Sequence, residues 1–177
     1  MLPTEDEVLQ FASGLPLQLQ LYVALKVWTG RRKGELLRLT RSDLTERGLR
    51  FTDNKRNEEI LLPWEPETRV IVQRLLDLPG RTSLYLFRTR SGQPYIHADG
   101  NTSGFNSMWQ RYARKWRDAG GKHFTEHDLR KVRASQLTAS QAQALLNHAT
   151  GATTERYRLG PKIVDLWDTV PQKAKSE

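Results

Sequence analysis

The chain has 177 residues, 37% hydrophobic and 27% charged, with no cysteine. That length suits one domain with a continuous core. No apolar run approaches the ~20 residues needed to cross a bilayer, and without thiols there are no disulfides or thiolate metal sites. Lys and Arg outnumber Asp and Glu by 28 to 20, a net charge of +8, which is the balance of a surface that meets polyphosphate. Met1 is followed by acidic Glu5, Asp6 and Glu7 rather than a basic and then apolar stretch, so no secretory leader is expected and the chain reads as cytoplasmic.

Thr4 with Glu7 forms a capping box ahead of Val8, Leu9 and Phe11, which predicts an N-terminal helix. A second helix follows Pro16, with Leu17, Leu21, Leu25 and Trp28 at helical spacing. Thr29-Gly30 breaks it before Arg31 to Leu39 resumes helical character, with Arg32 and Glu35 on one face. From Gly48 to Trp64 the pattern becomes a β-hairpin whose turn, Asp53 to Asn57, carries Lys55. Pro66 starts a helix that ends before Pro79-Gly80, and the short apolar run Leu84 to Phe87 is expected to add a third strand.

The segment from Thr89 to Gly104 is irregular. Phe105, Met108, Trp109, Tyr112 and Trp116 then make one helical stripe, read as core, while Arg111, Arg114 and Lys115 group on another face. Between Arg111 and Arg133 eight Lys/Arg stand against three acids, which makes this segment a candidate nucleic-acid face. Further helices are expected around His127 to Leu137, from a Thr138/Gln141 capping box to His148, and over Thr153 to Arg158.

Metal-independent cleavage of a phosphodiester needs a nucleophile, cations to neutralise the phosphoryl oxygens, and an acid for the leaving oxygen. The sequence carries candidates for each in order. Thr29-Gly30-Arg31-Arg32-Lys33-Gly34-Glu35-Leu36-Leu37 resembles the first arginine box of the tyrosine recombinases of the phage-integrase family. His127-Asp128-Leu129-Arg130 resembles the family's His-x-x-Arg box. Leu145-Leu146-Asn147-His148, followed by Thr153-Thr154-Glu155-Arg156-Tyr157, resembles its closing segment. Single motifs of this length recur by chance, whereas the ordered set is specific.

The resemblance implies a predominantly helical α+β catalytic core with a small antiparallel three-stranded sheet. It implies Arg32, Lys55, His127, Arg130, His148 and the nucleophile Tyr157 as catalytic residues, with Glu35 orienting Arg32. Lys55 would be the general acid, His127 the proton acceptor and His148 a phosphate donor. Guanidinium suits phosphate because it stays charged and grips two oxygens, and a tyrosine titrating near ~10 needs electrostatic help at neutral pH. DNA contacts are expected from Arg31, Arg111, Arg114, Lys115 and Lys131. The implied partners are double-stranded attachment sites and three further copies of the chain in a tetramer, and no cofactor, metal or membrane is implied.

Residues 1–177 read as one catalytic domain, a core of 1–160 and a tail of 161–177. The tail carries Ile163, Val164, Leu166 and Trp167 and is expected to dock on a neighbouring protomer. The separate DNA-clamping domain that the family places upstream is expected to lie outside these residues, as it would if the chain is a fragment of a longer integrase. Two departures stand out: Asn147 takes the place of the family's usual Gly, and Arg130 and His148 are closer in sequence than the family's spacing. A type IB topoisomerase, which shares the chemistry, and a DNA-binding module that does not cut both remain open on the residues. His123-Phe124-Thr125-Glu126-His127 also fits a zinc-peptidase pattern, but that reading explains none of Arg32, Arg130 or Tyr157.

Overall fold

In the computed structural model, residues 2–53 and 58–146 are described. Helix α1 (Glu5–Ser13) starts where the Thr4 backbone N–H donates to Glu7 Oε2 at 2.6 Å and the Glu7 N–H donates to Thr4 Oγ1 at 3.2 Å. Helix α2 (Leu17–Thr29) is buried over most of its length: Leu19, Leu21, Tyr22, Val23, Ala24, Leu25, Lys26, Val27 and Thr29 are all buried. A helix so enclosed belongs in the centre of a domain, and α2 packs on α1, on α4 (Pro66–Leu76) and on α6 (Glu126–Ser135). Each fully buried residue of leucine size contributes about 1.5–3 kcal/mol.

Gly30 ends α2 in the left-handed region at φ 60°, its N–H donating to the Lys26 carbonyl. Glycine takes that conformation without the Cβ clash other residues meet. The chain then turns into α3 (Lys33–Leu37). Strands β1 (Gly48–Asp53) and β2 (Glu58–Pro63) pair antiparallel, with Phe51 opposite Ile60 and Leu49 opposite Leu62.

The described sheet has two strands, not the expected three. The Arg41 N–H donates to the Leu84 carbonyl at 2.8 Å and the Leu86 N–H to the Leu39 carbonyl at 3.0 Å. The run 84–87 is therefore drawn to the chain leaving α3, as the single bridge Thr40–Tyr85, while β1 meets Leu44 through its own bridge to Leu49. Leu86 and Phe87 are buried there and Leu84 is 72% exposed.

Helix α5 (Ser103–Asp118) lays its aromatic stripe on the core as its periodicity predicts. Phe11 meets Trp109 at 5.2 Å and Phe124 at 5.1 Å between ring centroids, and Tyr22 meets Phe105 at 4.8 Å. Helix α6 carries the His-x-x-Arg box, and α7 (Ala139–Leu146) follows the predicted Thr138/Gln141 cap, with the Gln141 N–H donating to Thr138 Oγ1 at 3.3 Å. No described helix is long and apolar enough to cross a membrane.

Candidate active site

The first arginine box sits where α2 gives way to α3. Glu35, 7% exposed, accepts the backbone N–H of Arg32 at 3.0 Å on one oxygen and the Arg32 guanidinium at 3.2 Å on the other. One carboxylate in the first turn of α3 thus fixes both the main chain and the side chain of Arg32, whose side chain stays 39% exposed. Charge-assisted contacts of this kind define a direction as well as a position. A semi-exposed, pre-aimed guanidinium is suited to meet a phosphate.

Arg31 differs from expectation. Its side chain is 1% exposed, with the guanidinium 5.9 Å from the Phe51 ring centroid and its Nε 3.9 Å from Glu35 Oε2. The expected DNA contact gives way to burial between the arginine box and the hairpin. A charge run in sequence does not say which members face water.

Arg130 projects from α6 and is 1% exposed. Its Nη1 donates to the carbonyl of Gly30 and its Nη2 to the carbonyl of Leu146 at 2.8 Å. Two guanidinium donors therefore join the arginine box to the end of α7 through α6. Arg32 stands two residues beyond the first carbonyl, and the second carbonyl belongs to Leu146, a residue of the closing motif.

His127 is the second residue of α6 and is exposed. Partial burial, followed by the positive charges of Lys26, Lys131 and Arg130, holds its imidazole below the ordinary histidine value against the opposing pull of Glu126. A histidine so placed is a neutral proton acceptor at neutral pH. Thr125 and Asp128 hold the turn that carries it: the Asp128 N–H donates to Thr125 Oγ1 at 3.3 Å and the Thr125 N–H to Asp128 Oδ2 at 2.9 Å.

Beside His127 lies a cavity of about 290 Å³ whose wall includes Lys33, Arg117, His123 and Glu126. The basic α5 residues divide among different hollows. Arg111 lines one with Tyr95 and Met108, and Lys115 another with Phe11 and Trp116. Arg111, Arg114 and Lys115 remain exposed, but Arg117 is the α5 cation in the wall beside His127. Lys131 is engaged by Asp128 Oδ1 at 2.7 Å. Lys33 and Arg117 were visible in the sequence as basic residues, yet only the fold brings them into one cavity wall with His127.

The segment His123 to His127 does not lie on one helix, since α6 begins at Glu126, and the Glu126 carboxylate is taken up by Lys26 and Tyr22. Among the described residues no three His, Asp or Glu side chains are grouped to hold a metal. Lys55, Asn147, His148, Tyr157, the helix expected over Thr153 to Arg158 and the tail 161–177 lie outside the described residues.

Residues 4–159 match the sequence model of the phage integrase family. The integrase of Escherichia phage HK022 is 29% identical over 157 residues, 83% of this chain and 43% of the relative, so the chain spans less than half of that protein's length. A lambda integrase dimer bound to a COC′ core site superposes with a TM-score of 0.71 at 25% identity, over 92% of this chain and 62% of that one. The XerA recombinase has the same fold, with a TM-score of 0.69 at 24% identity over 90% of this chain and 59% of its own. The arginine box and the His-x-x-Arg box, tied together at Gly30, thus occur within a match that covers most of the sequence, and the chain belongs to the phage integrase family.

Proposed function

We propose that the chain is the catalytic part of a site-specific DNA recombinase, which breaks and rejoins strands through a 3′-phosphotyrosyl bond to Tyr157 and serves integration or excision of a phage or other mobile element. The observation that carries this reading is the pair of hydrogen bonds from Arg130 to the Gly30 and Leu146 carbonyls. They tie α6, which bears His127, to Gly30, two residues before Arg32, and to Leu146 at the end of α7.

In this reading the Tyr157 oxygen attacks the scissile phosphorus while His127 accepts the phenolic proton. The bond from phosphorus to the 5′-oxygen breaks, and Lys55 supplies the proton that makes the leaving group a 5′-hydroxyl. Arg32, Arg130 and His148 neutralise the non-bridging oxygens, where charge accumulates in the transition state. Attack by a 5′-hydroxyl on the phosphotyrosine reverses each bond change and restores the tyrosine. One phosphodiester-type bond is exchanged for another at every step, so rejoining draws on no nucleotide triphosphate. The basic surface supplies a sequence-independent part of DNA affinity, with Arg111, Arg114 and Lys115 as its exposed members on α5.

The test is to incubate the protein with a library of nicked duplexes of random sequence, which trap a cleaved strand because the short product diffuses away. A protein–DNA adduct resistant to denaturant is expected in the presence of chelator, and Tyr157→Phe should abolish it. An undiminished adduct in Tyr157→Phe would refute the assigned nucleophile.

For the whole recombinase we propose action in the host cytoplasm as a tetramer on paired sites, with residues 161–177 docking on a neighbouring protomer. A lambda integrase of the same fold forms a tetramer bound to a Holliday junction. Truncation after Gly160 is expected to leave the melting temperature unchanged and to impair assembly on DNA in native gels; unaltered assembly would remove the tail from this role.

A further inference from the structure

Helix α2 carries Lys26 and the hydroxyl of Tyr22 deep in the core, both residues 0% exposed. Both reach one atom: Lys26 Nζ lies 2.6 Å from Glu126 Oε1, and the Tyr22 hydroxyl donates to the same oxygen. Glu126, 15% exposed, is the first residue of α6, next to His127 and one turn before Arg130. A buried ammonium or carboxylate is strongly unfavourable unless it is paired: the Lys26 charge, whose Nζ makes no aligned hydrogen bond, is offset by the ion pair with Glu126, and the Tyr22 hydroxyl bond adds direction to that contact of α2 with α6.

The same two helices meet again one turn further on, where Arg130 donates to the Gly30 carbonyl at the end of α2. Helix α6 is therefore held at both sides of the residues that face the phosphate in the reading above. Glu126 also forms part of the cavity wall beside His127. A bare carboxylate there would repel a phosphate, and Lys26 beneath it offsets that charge from inside the protein.

We propose that Tyr22, Lys26 and Glu126 are a buried positioning unit, which fixes His127 and Arg130 in their working places without touching DNA. The proposal rests on the recombinase reading of His127 and Arg130. The charges that act on His127 are Lys26 from α2 and Glu126, Arg130 and Lys131 from α6, while Lys33 from α3, Arg117 from α5 and His123 share its cavity. Lys26 lowers the His127 value and Glu126 raises it. Removing each should therefore move it in opposite directions, which a general loss of packing would not do.

The experiment follows His127 by NMR titration in the full chain, in Lys26→Met and in Glu126→Gln. The imidazole is expected to titrate higher in Lys26→Met and lower in Glu126→Gln. A triple variant, Tyr22→Phe/Lys26→Met/Glu126→Leu, removes every buried polar group of the unit and keeps its volume, so it serves where a single change prevents folding. At wild-type melting temperature and with duplex affinity held within about threefold, its single-turnover adduct formation on a duplex recovered from the nicked library should be slower by roughly 10–100-fold. In Lys26→Met the acid limb of the cleavage profile should move to higher pH, since His127 must be neutral to accept the proton. A stable triple variant that cleaves at the wild-type rate overturns the proposal. If the wild-type chain forms no Tyr157-dependent adduct, it is the recombinase reading that fails; the proposal is then decided by the titrations, and an unmoved His127 in both single variants overturns it.

Discussion

Helix α2 has two buried sides built from opposite materials. Toward α5 and residues 84–87 it meets rings, with Tyr22 5.3 Å from Phe87 and 4.8 Å from Phe105 between centroids. Toward α6 it meets charges: Lys26 on Glu126, and the Gly30 carbonyl on Arg130. Tyr22 belongs to both, its ring to the first side and its hydroxyl to the second. The apolar side resists unfolding by area and fit, which act in all directions. The polar side contributes direction, because a hydrogen bond to a buried charge is satisfied over a narrow range of positions. The proposed function asks two arginines and a histidine to gather around one phosphate, a task for which the second kind of contact is suited.

Substitutions on the two sides should separate stability from chemistry. The largest effect on stability is expected on the ring side: Phe105→Ala removes a side chain that is 1% exposed and should cost about 3–5 kcal/mol in a urea melt. A loss below about 1 kcal/mol would mean that α5 is not integral to the core. On the seam, Arg130→Ala should lower adduct formation by about 10²–10³-fold or more, a loss much greater than its effect on duplex binding, since the residue is buried and the exposed cations remain. Equal losses in binding and cleavage would place Arg130 outside the chemistry.

A smaller effect is expected at the start of α6. Thr125→Ala removes the cap that accepts the Asp128 N–H and should cost about 1 kcal/mol. The Asp128 carboxyl is raised by burial, but Lys131 and the two Thr125 donors outweigh this and hold it below the ordinary aspartate value. A carboxyl whose folded value lies below its unfolded one contributes stability that is present above the unfolded value and lost as pH falls through the folded value. Urea melts should therefore show a loss of stability on the acid side that is reduced in Thr125→Ala. An identical acid dependence in the two proteins would show that this cap is not what lowers the carboxyl.

Much of this arrangement was legible in the sequence wherever the cause was local. Thr4 with Glu7 and Thr138 with Gln141 start helices as predicted because a cap is a contact three residues long. The α5 stripe packs inward because helical periodicity decides which face is buried. The ordered motifs around Arg32 and Arg130 led to the family, and Glu35 accepts from both the backbone and the guanidinium of Arg32.

What the sequence did not yield depended on partners far along the chain. Leu84 to Phe87 looked like a strand, but its hydrogen bonds go to residues 39 and 41 instead of the hairpin. Arg31 stood in a basic run that suggested solvent, and the approach of Phe51 encloses it. Lys26 and Glu126 are one hundred residues apart, and no spacing rule joins them. The available sign was a lysine within the apolar run Leu21 to Trp28, which calls for an acidic partner inside the protein.

In the proposed reaction Tyr157 carries the cleaved strand. Digesting the trapped adduct with nuclease and protease and sequencing the nucleotide-bearing peptide by mass spectrometry locates the attachment. A nucleotide linked through its 3′-phosphate to Tyr157 is expected. A nucleotide on Tyr22, Tyr85, Tyr95 or Tyr112, or a linkage through a 5′-phosphate, would contradict it.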